Sequence, residues 1–241
     1  GYAIGFLSPL VEKYLPDGLD TIIGALLLAP AARLIAFAAD PVVNAAMEYI
    51  GMTITAATEQ SPVIMGFLLG GIMKMICTSP LSSMALTAML GLTGLPMGIA
   101  AIACVAGSFT NGILFARLHL GDRSNVIAVM LEPLTQAHII TRYPIPIYAS
   151  DFLGGGLAGI AAALLGIVNN APGTASPIPG LLAPFAFNPA GKVVLALAIG
   201  AASGIFAGLV GSFVFKRFAT GEKTSVKAPV QVSGTALPSK V

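Results

Sequence analysis

The chain has 241 residues, of which 56% are hydrophobic and only 9% carry Asp, Glu, Lys or Arg. A soluble domain carries about 25% charged residues. With a mean hydropathy of +0.90, too few charges remain to cover a water-facing surface, which excludes an ordinary soluble globular enzyme and makes lipid the main solvent. The net charge of +2 gives no reason to expect nucleic acid as a partner.

The first residues, Gly1 to Leu10, are already apolar, and the chain opens without Met; further membrane segments are expected upstream. Leu19–Ala39 is apolar apart from Asp20 and Arg33 and long enough to span. Asp40-Pro41 is expected to end it, because the residue before proline disfavours helix. Pro41–Gln60 reads as amphipathic, with Glu48 and Glu59. Pro62–Thr78 is apolar except for Lys74, and Leu81–Leu92 is too short to cross. Its neighbours Thr78-Ser79-Pro80 and Gly91-Leu92-Thr93-Gly94 are breakers, so a re-entrant half-helix is expected there.

Pro96–Ala116 reads as a transmembrane helix. Asn125–Ile140 is again short, and Glu132-Pro133 breaks it. Tyr143-Pro144-Ile145-Pro146 cannot continue a helix, because two prolines remove donors and crowd the preceding turn. Phe152–Val168 is a Gly/Ala-rich span, Asn169–Pro189 a loop or third re-entrant segment, and Val193–Phe215 the last span. The expected fold is therefore an all-α integral membrane protein with about five transmembrane helices and two or three re-entrant half-helix hairpins. Residues 1–215 form its membrane domain and 216–241 a disordered cytoplasmic tail. Five of the 12 Lys and Arg residues follow position 215. A cytoplasmic C-terminus puts Arg117, Arg123 and Arg142 on the same face as Lys216-Arg217, as the positive-inside rule requires.

Gly200, Gly204 and Gly208 are spaced by four, as are Gly155 and Gly159. Such faces let helices approach closely, within one subunit or between two. Cys77 and Cys104 lie in apolar runs without a disulfide or metal spacing and read as packing residues. No catalytic motif occurs, no cofactor is implied, and no metal-ligand pattern is present.

An ionisable group in an apolar segment costs about 2.5–3.5 kcal/mol at mid-helix and needs a partner, a wet cavity or a function to offset it. Arg33, Glu59, Lys74, Glu132 and His138 are the residues in question. Glu132 and His138 flank Thr135 and Gln136 in a broken segment, where a carboxylate, an imidazole, a hydroxyl and an amide can bind a hydroxylated or zwitterionic solute. The structural alternative pairs Glu132 with His138 or Arg142. Ser79, Ser82 and Ser83 offer hydroxyls and free amides at a half-helix start, or they simply cap it. Lys74 supplies charge to a ligand or pairs with Glu59; Asn111 is a further candidate lining residue, and Arg33 and Glu48 read as an internal ion pair or as snorkelling charges.

Ser61-Pro62-Val63-Ile64-Met65-Gly66, Thr78-Ser79-Pro80-Leu81-Ser82-Ser83-Met84-Ala85-Leu86, Leu90-Gly91-Leu92-Thr93-Gly94-Leu95 and Cys104-Val105-Ala106-Gly107 together resemble the phosphotransferase-system EIIC-like membrane family, which includes the perfringolysin regulator protein. The resemblance covers roughly positions 15 to 215. It implies a helical transporter domain with re-entrant hairpins, a homodimer, and a substrate-carrying part that moves against a scaffold. It also implies that a Glu and a His near a hairpin contact sugar, roles for which Glu132 and His138 are the matching candidates. Phosphorylation, where it accompanies transport, falls to separate phosphotransferase proteins. The function expected is a permease subunit of the bacterial inner membrane that moves a small polar, sugar-like solute. A membrane-embedded ligand sensor and a channel are the other classes considered.

Overall fold

The computed structural model describes residues 19–216; the tail expected beyond Lys216 and the apolar stretch at Gly1–Leu10 lie outside the described residues. Every regular element among the described residues is helical. The long elements are α1 (Leu19–Gln60), α2 (Pro62–Thr78), α4 (Gly94–Leu118), α7 (Pro144–Leu164) and α9 (Ala190–Val214). Between them come short pieces: α3 (Ser83–Met89), α5 (Arg123–Leu131), a 3₁₀ turn at Pro133–Gln136, α6 (Ala137–Ile140), α8 (Pro177–Leu182) and a second 3₁₀ turn at Ala183–Ala186.

The helix α4 is the axis of the molecule. It has almost no polar face, and Pro96 through Ser108 are buried without a break, as expected of a helix that is apolar all round. Among the described residues three helices are long and apolar enough to cross a membrane, namely α4, α7 and α9, while α2 is apolar but has 17 residues. A continuous α1 replaces the span and the separate amphipathic segment expected on either side of Asp40-Pro41. Pro30 and Pro41 both lie inside it. Each proline removes one backbone hydrogen bond, a local loss that the 42-residue helix absorbs without stopping. Arg33 and Glu48 are exposed on this one helix, ~22 Å apart along its axis at 1.5 Å per residue, so the expected internal pair does not form.

Close contacts between glycines and backbone fix the helix directions. In α2 and α7, a Cβ on Gly66 would lie 2.7 Å from the Gly159 carbonyl oxygen, and one on Gly155 would lie 2.6 Å from that of Gly70. The two helices are thus antiparallel, with backbones nearly touching. On α9, Gly200, Gly204 and Gly208 pack against Ile102, Ala106, Thr110 and Ile113 of α4, so this stripe serves packing within the chain.

At one end of the bundle Gly211 meets Ser150 and Leu114, which gathers the end of α4, the start of α7 and the end of α9, and with them Arg117, Arg142 and Lys216. At the other end Asn169 N–H donates to Gly94 O at 2.9 Å, and Asn188 Nδ2 donates to Val168 O at 2.7 Å.

Candidate functional site

Three interruptions of the chain converge inside this bundle. The first separates α2 from α3. Successive contacts of Met73 with Cys104, Lys74 with Gly107 and Thr78 with Asn111 show α2 running parallel to α4. Since α2 stops level with Asn111, it ends ~10 Å short of the end of α4. Pro80 and its neighbouring serines make the interruption. Ser79 Oγ donates to Ile76 O at 2.8 Å and accepts from Leu81 N–H at 3.1 Å. Ser82 is the N-cap of α3, its Oγ accepting from Ala85 N–H at 3.2 Å. Both hydroxyls thus serve the local backbone.

The second interruption is Glu132-Pro133. Glu132 adopts extended backbone (φ −151°, ψ 101°), and Pro133 opens the 3₁₀ turn, as its fixed φ allows at a first helical position. Thr135 Oγ1 donates to Glu132 O at 2.8 Å. The Gln136 side chain is buried, and its Oε1 accepts from Asn125 Nδ2 at 2.7 Å. The third interruption is the loop Asn169–Ser176, which Asn169 braces by donating from Nδ2 to Thr174 Oγ1 at 2.8 Å.

Two hydrogen bonds tie the three together. Ser83 Oγ, buried in α3, donates to Ala175 O at 2.5 Å, and the adjacent Ser176 Oγ donates to Glu132 Oε2 at 3.3 Å. Glu132 is half-buried and uses Ser176 as partner. His138, six residues on, is exposed on α6. Of the residues expected to contribute, the structure therefore brings together Glu132 and Ser83, keeps Gln136 buried nearby, and leaves Ser82, Thr135 and His138 exposed with Ser79 half-buried.

Behind this junction lies a polar cluster within the helices. Lys74 Nζ is 3.9 Å from Asp151 Oδ1, and both side chains are 0% exposed. This arrangement corrects the expected alternative of Lys74 with Glu59, which is exposed at the end of α1. Asn111 Nδ2 donates to Thr78 Oγ1 at 3.1 Å, and Thr78 and Asn111 are the polar neighbours of the Asp151 carboxylate. Cys77 and Cys104, both buried and free, lie beside each other and near the Lys74 ammonium. Glu132 is close enough to act on that ammonium electrostatically. Glycines make room for the lysine: its stem lies against Gly107 of α4 and Gly155 of α7, where any side chain would displace it.

Sequence reading missed Asp151. It starts the span at Phe152 and leaves Asp151 in the proline-punctuated approach. In the structure Pro144 takes the first position of α7 and Pro146 follows in its first turn, where a missing N–H costs nothing because that donor has no helical partner. Asp151 therefore lies two turns, ~10 Å, inside the helix. A Pro-x-Pro read as a helix start would have revealed it.

Among the described residues no group of three or more His, Cys, Asp and Glu could hold a metal. No curated protein and no solved structure gives a significant match. The family model described as "Phosphotransferase system, EIIC" matches residues 1–227. The three helices able to cross a membrane, the short helices between them and a match over nearly the whole chain lead to one statement: this chain belongs to the phosphotransferase-system EIIC family.

Proposed function

We propose that the chain is the membrane permease subunit that moves a small polar, sugar-like solute by alternating access, with the three-way junction as its binding site. The observation that carries this reading is the chain Ser83–Ala175, Ser176–Glu132. These bonds hold three broken elements together through weak links that a hydroxylated solute can replace one for one. Glu132 accepts from solute hydroxyls, Gln136 and Thr135 add an amide and a hydroxyl, and His138 faces the solute from the rim. Ser79, Ser82 and Ser83 line the opposite side. Lys74 and Asn111 stand behind the junction and reach the solute only when the breaks part.

The same reading has four crossings, formed by the first half of α1, α4, α7 and α9. It places re-entrant hairpins at α2–α3, in place of the fifth expected span, at α5–α6 and at α8, where irregular backbone is tolerated because protein or water covers it. Residues 1–215 act as one transport domain. The bundle end bearing Arg117, Arg142 and Lys216 faces the cytoplasm of a bacterial inner membrane, with the segment from 216 onward on that side. The protein works as a homodimer, and phosphorylation of the solute belongs to separate phosphotransferase proteins.

A thermal-unfolding screen of the purified chain against a panel of monosaccharides tests the site. A ligand at one hundred times its Kd stabilises the folded state by about 2.7 kcal/mol. At least one sugar should raise the midpoint in the unmodified chain and fail to do so in Glu132→Gln. An equal rise in both removes Glu132 from the site, and no rise with any sugar removes the sugar-like class.

A further inference from the structure

A lysine and an aspartate, both wholly enclosed at membrane depth, are a poor way to hold helices together. Hydrophobic residues of similar volume usually do so as well or better, because desolvating two charges offsets their attraction. Thr78 and Asn111 stand beside the carboxylate and bond to each other. Lys74 Nζ, Ser108 Oγ, Asn111 Oδ1 and both carboxylate oxygens of Asp151 have no hydrogen-bond partner among the described residues. Native interiors leave few such groups, and those they leave call for an explanation. Here they share one cluster, and the cluster borders the chain breaks. Thr78, bonded to Asn111, is the last residue of α2 before the first break. Glu132, at the second break, acts on Lys74 and is partly open to solvent.

Resting on the permease reading, we propose that Lys74 and Asp151 form a proton-binding site whose loading is coupled to the opening of the junction. With the junction closed, the pair is held as ammonium and carboxylate, net neutral. When the breaks part, water reaches Asp151 along Thr78 and Asn111. A proton from that water phase forms an O–H bond on a carboxylate oxygen, Lys74 keeps its own proton, and the pair gains one positive charge. Before the junction closes, that proton returns to the same water, because an uncompensated positive charge is costly to enclose, and the neutral pair is restored. The ionisable groups around the site are few. On α2 they are Lys74 and Cys77, on α4 Cys104, on α7 Asp151 and Tyr148, and at the second break Glu132. The face of α9 that meets α7 here carries Gly204, Ala207 and Gly211. Intramembrane carboxylates are a recurring material of proton relays, and this one lies directly behind the junction.

Infrared difference spectroscopy between alkaline and acidic buffer, on the full chain in lipid nanodiscs, reads the site with the proton itself as probe. The unmodified chain should gain a protonated-carboxyl band on acidification. That band should persist in Glu132→Gln, shift in Lys74→Met and vanish in Asp151→Asn. The double variant Lys74→Met with Asp151→Leu removes both charges together and supplies the same loss of band should Asp151→Asn alone fail to fold. Identical spectra for the unmodified chain and the charge-free variant overturn the proposal. A titrating Asp151 in a protein that carries no solute overturns the permease reading and leaves the proton site; intact solute uptake with a silent Asp151 overturns the proton site alone.

Discussion

Removing the Asp151 carboxylate while Lys74 remains leaves an ammonium enclosed without its counter-charge. Breaking one side of such a buried pair costs about 3–5 kcal/mol. Asp151→Ala should therefore unfold at far lower temperature than the unmodified chain, whereas Lys74→Met with Asp151→Leu should unfold near or above it. Thermal unfolding of detergent-purified protein followed by size-exclusion chromatography checks both; equal loss in the single and double variants would mean that packing, and not charge, fixes these positions. This residue pair also marks how far the sequence could be read. Lys74 stands out as a cation in an apolar run. Asp151 does not, because two prolines upstream look like the end of structure when they are its beginning. Glu132 is visible for the same reason as Lys74, but its partner Ser176 lies 44 residues away, and no local pattern reports a contact of that range.

At the scale of elements, the glycine contacts decide how close the helices come. A Cβ on Gly155 would fall 2.6 Å from Gly70 O and 2.5 Å from Lys74 Cβ, so Gly155→Val must push α7 away from α2. Overpacking of this kind costs about 1–3 kcal/mol, whereas Gly191→Ala, which meets nothing within 4 Å, should be neutral or slightly stabilising because alanine is the better helix former. Unfolding midpoints of the two variants check the contrast, and a comparable loss in both would contradict the close approach. Several element boundaries were legible, since Ser79-Pro80 and Glu132-Pro133 each stop a helix where a proline forbids continuation. Pro41 is the exception. Its helix runs on because the lost hydrogen bond falls on an exposed stretch with little packed against it, where a local distortion disturbs no neighbour. The stripe at Gly200, Gly204 and Gly208 was legible as a packing face, but spacing alone could not say that α4 of the same chain fills it.

Across the whole molecule, burial falls outward from α4, which is enclosed, through α7 to α9, whose outer face shows Val194, Phe206 and Phe213. That gradient is what a helical bundle in lipid requires, and composition alone made the solvent legible. Composition could not indicate that three chain breaks meet in one place, because that depends on α2 stopping ~10 Å short of the end of α4. Solute uptake into sealed proteoliposomes puts this junction to its most direct test. Saturable uptake of the stabilising sugar is expected of the unmodified chain, with a loss of at least tenfold in Glu132→Gln, about 1.4 kcal/mol of barrier or affinity. Uptake absent from the unmodified chain, or unchanged in the variant, would contradict it.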